Sequence, residues 1–194
     1  MKASTKAGGV NLSLTAVKDD GTYSYDIEKG DELVYHVTNP NGKEYDFVIT
    51  VNKFDYNAGI DFNYQILTAA GVKGHVTISP AAYHSSRKYV NYFGGGEMKL
   101  NDACAIWLCY DAFYDDIPKR KTVMTMDGND PEVFYRPEYD EERPVIKFKG
   151  EEMKLDAFKL SNKEDATGDK ELWIHNSSGN PLILKMNLGF TIEL

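Results

Sequence analysis

The sequence predicts a mainly β protein: an antiparallel sandwich or open barrel of about ten to twelve short strands, with one principal helix at about 102–115. Three observations carry the prediction. Apolar and polar residues alternate through most of the chain, as at Leu33, Tyr35 and Val37 or Tyr45, Phe47, Ile49 and Val51. That is the pattern of strands with one buried face. Turn residues punctuate these runs, most clearly at Asn39-Pro40-Asn41-Gly42. Only Asn101–Asp116 changes to apolar spacings of three and four.

In chain order, Val10, Leu12 and Leu14 read as a first strand, Asp19-Asp20-Gly21 as a turn, and Tyr23 and Tyr25 as a short second strand. The runs at 33–37 and 45–51 form a β-hairpin around the Asn-Pro-Asn-Gly turn. Phe62, Tyr64 and Ile66 give another strand, as do Val76 and Ile78. Pro80 opens a short helix or turn carrying Tyr83 and His84, since proline is favoured at the first helical position. Gly94-Gly95-Gly96 reads as a flexible joint before the main helix. There Ala105, Leu108, Cys109, Ala112 and Phe113 define a buried face, Asp102 is placed to cap the first turn, and Pro118 bars continuation.

Beyond Pro118 the strands resume at Val123–Met126, followed by the turn Asp127-Gly128-Asn129-Asp130-Pro131. Pro137–Pro144 is the most loop-like segment. Val145–Lys149 and Met153–Leu160 make a second hairpin about Lys149-Gly150-Glu151. Asn162–Lys170 is a polar connection, and the chain closes with a strand, a turn at Asn176–Pro181, a strand, a bend at Gly189 and a last strand on Phe190, Ile192 and Leu194. Residues 1–9 read as a flexible N-terminus and 10–194 as a single β-rich domain, with no internal repeat.

A length of 194 residues suits one substantial core, and 42% hydrophobic with 27% charged residues is ordinary for a globular protein. No apolar run approaches the roughly 18 residues of a membrane span. The net charge of −8 argues against nucleic acid as a partner, because phosphate binding requires a basic face. The N-terminus MKASTKAGG has no apolar core of a signal peptide. Either the protein is cytoplasmic or its export signal has been left out.

Cys104 and Cys109 are the only cysteines. On a helix their Cα atoms stand roughly 8–9 Å apart on different sides, out of disulfide reach. They are expected to be free, with Cys109 in the core and Cys104 nearer the flank. Their surroundings in sequence are acidic, which disfavours a reactive thiolate.

His36, His75, His84 and His175 are scattered, with no HxH or HExxH pair, so neither a metal nor another cofactor is expected. Asp111, Asp115 and Asp116 crowd the end of the predicted helix, where the macrodipole disfavours negative charge. One reading is a carboxylate pair for acid–base work or cation binding. The other is a solvated helix end neutralised by Lys119, Arg120 and Lys121. The segment Asp127–Glu132 has several oxygen ligands but the spacing of a turn, not of a calcium loop. No GxSxG, P-loop or dinucleotide fingerprint is present.

Thirteen tyrosines, nine phenylalanines and two tryptophans are the most suggestive feature. Trp107, Tyr110 and Tyr114 recur at spacings of three and four, away from the small-residue stripe. A helix with a separate aromatic face can line a pocket or an interface. The candidate ligand-binding residues are therefore Trp107, Tyr110, Tyr114, Tyr83 and His84.

Four stretches carry a family resemblance: GHVTISPAA at Gly74–Ala82, IWLCYDAF at Ile106–Phe113, the glycine turn into a strand at Lys149–Leu160, and ELWIHNSSGNPLILKM with GFTIEL at the end. Together they resemble an uncharacterised bacterial family, domain of unknown function 3108, in its Bacteroidetes-type variant, over roughly residues 30–194. Cys109 stands about where that family has a serine. The resemblance implies an exported protein of the periplasm or cell surface and supplies no mechanism.

The expectation is a non-enzymatic binding or structural module of the bacterial envelope, for an apolar or glycan-like small molecule or a partner envelope protein. The alternative is a hydrolase-type enzyme using Asp111 or Asp115 with His84.

Overall fold

The computed structural model describes residues 13–16, 21–68, 70–137, 144–148, 151–165 and 168–194. The flexible 1–9 segment, the strand positions Val10 and Leu12, the turn residues Asp19 and Asp20, most of the 137–144 loop and the Lys149-Gly150 turn lie outside these residues.

The chain is mainly β. β1 (Ser13–Ala16) and β2 (Tyr23–Asp26) form a two-stranded antiparallel sheet. Then come β3 (Glu32–Thr38), β4 (Glu44–Asp55), β5 (Gly59–Leu67), β6 (Lys73–Ile78), the short helix α1 (Pro80–Ser85), β7 (Lys88–Tyr89) and β8 (Gly96–Leu100). After a central irregular segment follow β9 (Lys121–Met126), β10 (Glu132–Tyr135), the separate hairpin β11 (Val145–Phe148) with β12 (Glu151–Lys154), β13 (Ala157–Ser161), β14 (Glu171–His175), β15 (Ile183–Asn187) and β16 (Thr191–Glu193). Twelve strands share one sheet in the order β7-β9-β10-β13-β14-β15-β16-β3-β4-β5-β6-β8. Neighbours are antiparallel except at the two edges, where β7 runs parallel to β9 and β8 parallel to β6. The sheet does not close into a barrel.

Alternation sets the register. In β3, Leu33, Tyr35 and Val37 are buried while Glu32, Val34 and His36 face solvent. Opposite them in β4, Phe47 and Ile49 pair with Tyr35 and Leu33. A slip of one residue would turn every apolar side chain outward, so this pairing is strongly specified. β13, β14 and β15 are buried on successive residues and so are covered on both faces.

The predicted helix at about 102–115 is corrected to a shorter element that starts later. Helical geometry begins at Tyr110, passes through a π-helical turn at Ala112–Asp116 and ends in a 3₁₀ turn at Ile117–Lys119. Residues 103–109 are irregular and all buried. Their backbone groups pair with strands: Cys104 N–H donates to Lys88 O at 2.8 Å, Val90 N–H to Cys104 O at 2.9 Å, Leu108 N–H to Pro181 O at 2.9 Å and Ile183 N–H to Ile106 O at 2.8 Å. Ile106 sits at φ 69°, an uncommon left-handed conformation for a β-branched residue. The periodicity misleads because the segment is apolar on every side, so spacings of three and four do not mark one face.

This segment is the centre of the core. Trp107 is fully buried, its ring 5.5 Å from that of Phe54 in β4 and 5.7 Å from that of Phe62 in β5. On its other side it bridges Leu182 and donates Nε1–H to Asn180 Oδ1 at 2.9 Å. The sheet's two arms therefore meet across this segment. Burying a side chain of this kind contributes about 1.5–3 kcal/mol.

Candidate functional site

Two turns, the short helix α1 and the helical segment converge beside Trp107 and build an aromatic groove. The β4–β5 turn is fixed by Asp55, whose Oδ1 accepts from Asn57 N–H at 2.8 Å and Ala58 N–H at 2.7 Å. Gly59 closes it at φ 80°, where a Cβ would meet Ile78 O at 2.2 Å. Only glycine fits there. The turn presents Tyr56, which is 40% exposed.

α1 supplies the adjoining wall. Ser79 caps it by accepting Ala82 N–H at 3.1 Å, and Pro80 starts it. Tyr83 turns into the core, 1% exposed, with its ring 5.6 Å from Phe54, and burial pushes its phenol pKa up. His84 turns outward, its ring 3.9 Å from that of Tyr56, and its Nε2 contacts Tyr56 O at 3.0 Å.

Tyr110 and Tyr114 stand four apart on the helical turns and so share one face, with ring centroids 4.3 Å apart. Tyr110 meets Tyr56 edge-on at 4.6 Å. The Ser178 and then the Tyr110 hydroxyls hold the Tyr114 pKa below the usual phenol range, while the hydrogen bond to Tyr114 pushes Tyr110 up to about 12. The last wall is the turn carrying Ser178 and Gly179, in which Asn180 N–H donates to Ser177 O at 3.2 Å. Phe54, Tyr56, Tyr83, Tyr110, Tyr114, Ser178 and Gly179 line an open groove of about 220 Å³.

Tyr83, His84, Tyr110 and Tyr114 are thus brought together. Trp107 is not: it is sealed beneath the groove, behind Phe54. Sequence reasoning missed Phe54, Tyr56, Ser178 and Gly179. The run Asp55-Tyr56-Asn57-Ala58-Gly59 carries a turn signature with an aromatic at its tip, which was the available signal.

His84 is the histidine of the hydrolase alternative. Among the described residues it makes no ion pair with Asp111 or Asp115. Asp116 is engaged by Arg87 at 2.9 Å and by Thr122 Oγ1 at 2.9 Å. Arg87 thus answers this helix-end carboxylate. Histidine–carboxylate contacts among the described residues lie on other strands: half-buried His75 with Asp61 at 3.0 Å and with Glu97 at 3.1 Å, and exposed His36 with Asp46 at 3.1 Å and Glu44 at 3.7 Å. Asp127 shapes the β9–β10 turn, its Oδ1 accepting Asn91 N–H at 2.7 Å. Among the described residues no three His, Cys, Asp or Glu side chains are grouped to hold a metal.

Both cysteines are free and fully buried, Cys104 no less than Cys109. The expected acidic surroundings of Cys109 are corrected: Arg87 Nη1 donates to its Sγ at 2.7 Å. Burial nevertheless pushes both thiol pKa values up.

What the groove can do chemically is stack and hydrogen-bond. Its walls are aromatic faces, its rim carries phenol and serine hydroxyls, and no carboxylate lines it among the described residues. No family model matches this chain, and no curated protein or solved structure matches it.

Proposed function

We propose that this chain is a non-enzymatic binding module whose aromatic groove takes a small, ring-shaped, glycan-like ligand. The observation that carries the reading is the groove between Tyr56, Tyr110 and Tyr114, floored by Phe54 and Tyr83 and edged by Ser178. Its volume of about 220 Å³ falls below the roughly 300–1,000 Å³ of drug-sized sites, which favours one ring over a lipid chain. Aromatic faces with hydroxyl tips suit a ligand that is apolar on its faces and polar at its edge. An envelope setting is part of the proposal and rests on the sequence resemblance alone.

The test is saturation-transfer NMR with a panel of monosaccharides, followed by titration of any binder against Tyr56→Ala and Tyr110→Ala. Loss of affinity by about tenfold or more in both variants, or about 1.4 kcal/mol, is the expected result. A binder indifferent to both substitutions, or no binder among neutral sugars, overturns the assignment.

A further inference from the structure

We propose that the free edge of β8 is an interface between two copies of this chain, which pair antiparallel along this strand about a two-fold axis at Met98. β8 ends the twelve-stranded sheet, with β6 on one side and no strand among the described residues on the other. Such an edge offers its unpaired backbone groups to another strand. The opposite edge is β7, whose two residues are too few to serve.

One bond sets the direction of the backbone groups. Ser79 N–H donates to Leu100 O at 2.9 Å, which continues the parallel ladder that pairs Ile78 with Leu100. The N–H and C=O of one strand residue point to the same side, and successive residues point to opposite sides. Met98 and Leu100 therefore bond towards β6, while Glu97 and Lys99 turn their N–H and C=O outward. Among the described residues no group bonds these outward atoms. Both side chains are exposed as well.

Only outward-facing residues can exchange bonds across the new pair, so neighbouring registers differ by two residues. With the axis at Met98, Glu97 of each copy lies directly opposite Lys99 of the other, and each pair exchanges both backbone hydrogen bonds. Placing the axis at Glu97 sets two glutamates opposite each other, and placing it at Lys99 sets two lysines so. Opposite charges facing across a ladder stabilise it and like charges destabilise it. The strand is thus complementary to itself in one register, as a two-fold interface requires. Glu97 holds Oε2 against His75 Nδ1 at 3.1 Å, which keeps its side chain on this face and leaves Oε1 for the second copy's Lys99. Lys99 makes no ion pair of its own among the described residues. The paired stretch is only five residues long, so the dimer is weak and forms with concentration.

Sedimentation equilibrium of the full chain up to about 1 mM is the test, and a monomer–dimer equilibrium is the expected wild-type result. Lys99→Glu and Glu97→Lys each set like charges opposite each other and should weaken self-association about tenfold or more. Glu97→Lys also lowers the net negative charge, so bulk repulsion alone predicts the opposite. An equal mixture of the two variants restores both opposite-charge pairs and should associate at least as well as wild type. Lys99→Pro removes an outward N–H that the monomer does not use, a change an edge strand tolerates. It should leave the circular dichroism spectrum unchanged and abolish the dimer. A wild type that stays monomeric, self-association unmoved by the charge reversals, or a mixture that associates no better than its components overturns the proposal. If a charge variant does not fold, Lys99→Pro decides: a dimer that persists in it overturns the pairing.

Discussion

Replacing Asn180 by alanine tests how the core holds the groove in shape. Asn180 is 2% exposed and joins three parts of the chain. Its Oδ1 accepts Trp107 Nε1–H at 2.9 Å, its Nδ2 donates to Tyr25 O at 3.1 Å, and its backbone O contacts His175 Nδ1 at 2.9 Å. Asn180→Ala removes the first two bonds and leaves a buried indole N–H and a buried carbonyl without them. Each such group costs about 1–3 kcal/mol, so the expected loss is about 2–6 kcal/mol. Urea denaturation followed by circular dichroism reads this as a lower midpoint at an unchanged slope. The decisive comparison is Trp107→Phe, alone and combined. If the indole bond matters, removing the indole costs less once Asn180 is gone, and the two changes fall short of additivity by about 1 kcal/mol or more. Additivity within about 0.5 kcal/mol refutes the reasoning.

Three further outcomes follow from the same geometry. Gly59→Ala places a Cβ 2.2 Å from Ile78 O at a positive φ, and is expected to lower stability by about 3 kcal/mol and weaken any ligand that contacts Tyr56; a variant as stable as wild type in urea would contradict the turn geometry. His175 is buried and burial holds its pKa below the ordinary value, so the unfolded chain takes up a proton first as pH falls. Its contribution is complete above about pH 6.5 and declines below it towards the lowered folded value, so the stability gap between wild type and His175→Asn should narrow from pH 7.5 to pH 5.5; a gap that widens is the opposite sign and refutes it. Cys104 and Cys109 are buried with raised pKa values, so Ellman's reagent at pH 8 should label neither in the folded protein and both in urea.

The β architecture was legible because half-buried strands write their environment into alternate residues, as β3 and β4 do. The same code fails where a segment has no solvent face. Ala103 to Cys109 pack against both arms of the sheet, so their order reflects volume and hydrophobicity, not period. Their hydrogen bonds go to Lys88, Pro181 and Ile183, partners far away in sequence that no local pattern announces. Tyr110 and Tyr114 were found because they do lie on a helical turn at that spacing. Trp107 was grouped with them by extending the period three residues too early, across the point where the backbone stops being helical.

The aromatic groove is built by side chains from α1, from turns at 55–59 and 177–180 and from the helical segment, joined by ring contacts such as Tyr56–Tyr110 at 4.6 Å. Those contacts are short-range and tolerant of angle. Under the proposed function, a ring-shaped ligand would therefore be accommodated by small rotations of the lining rings and not by movement of the strands that carry them.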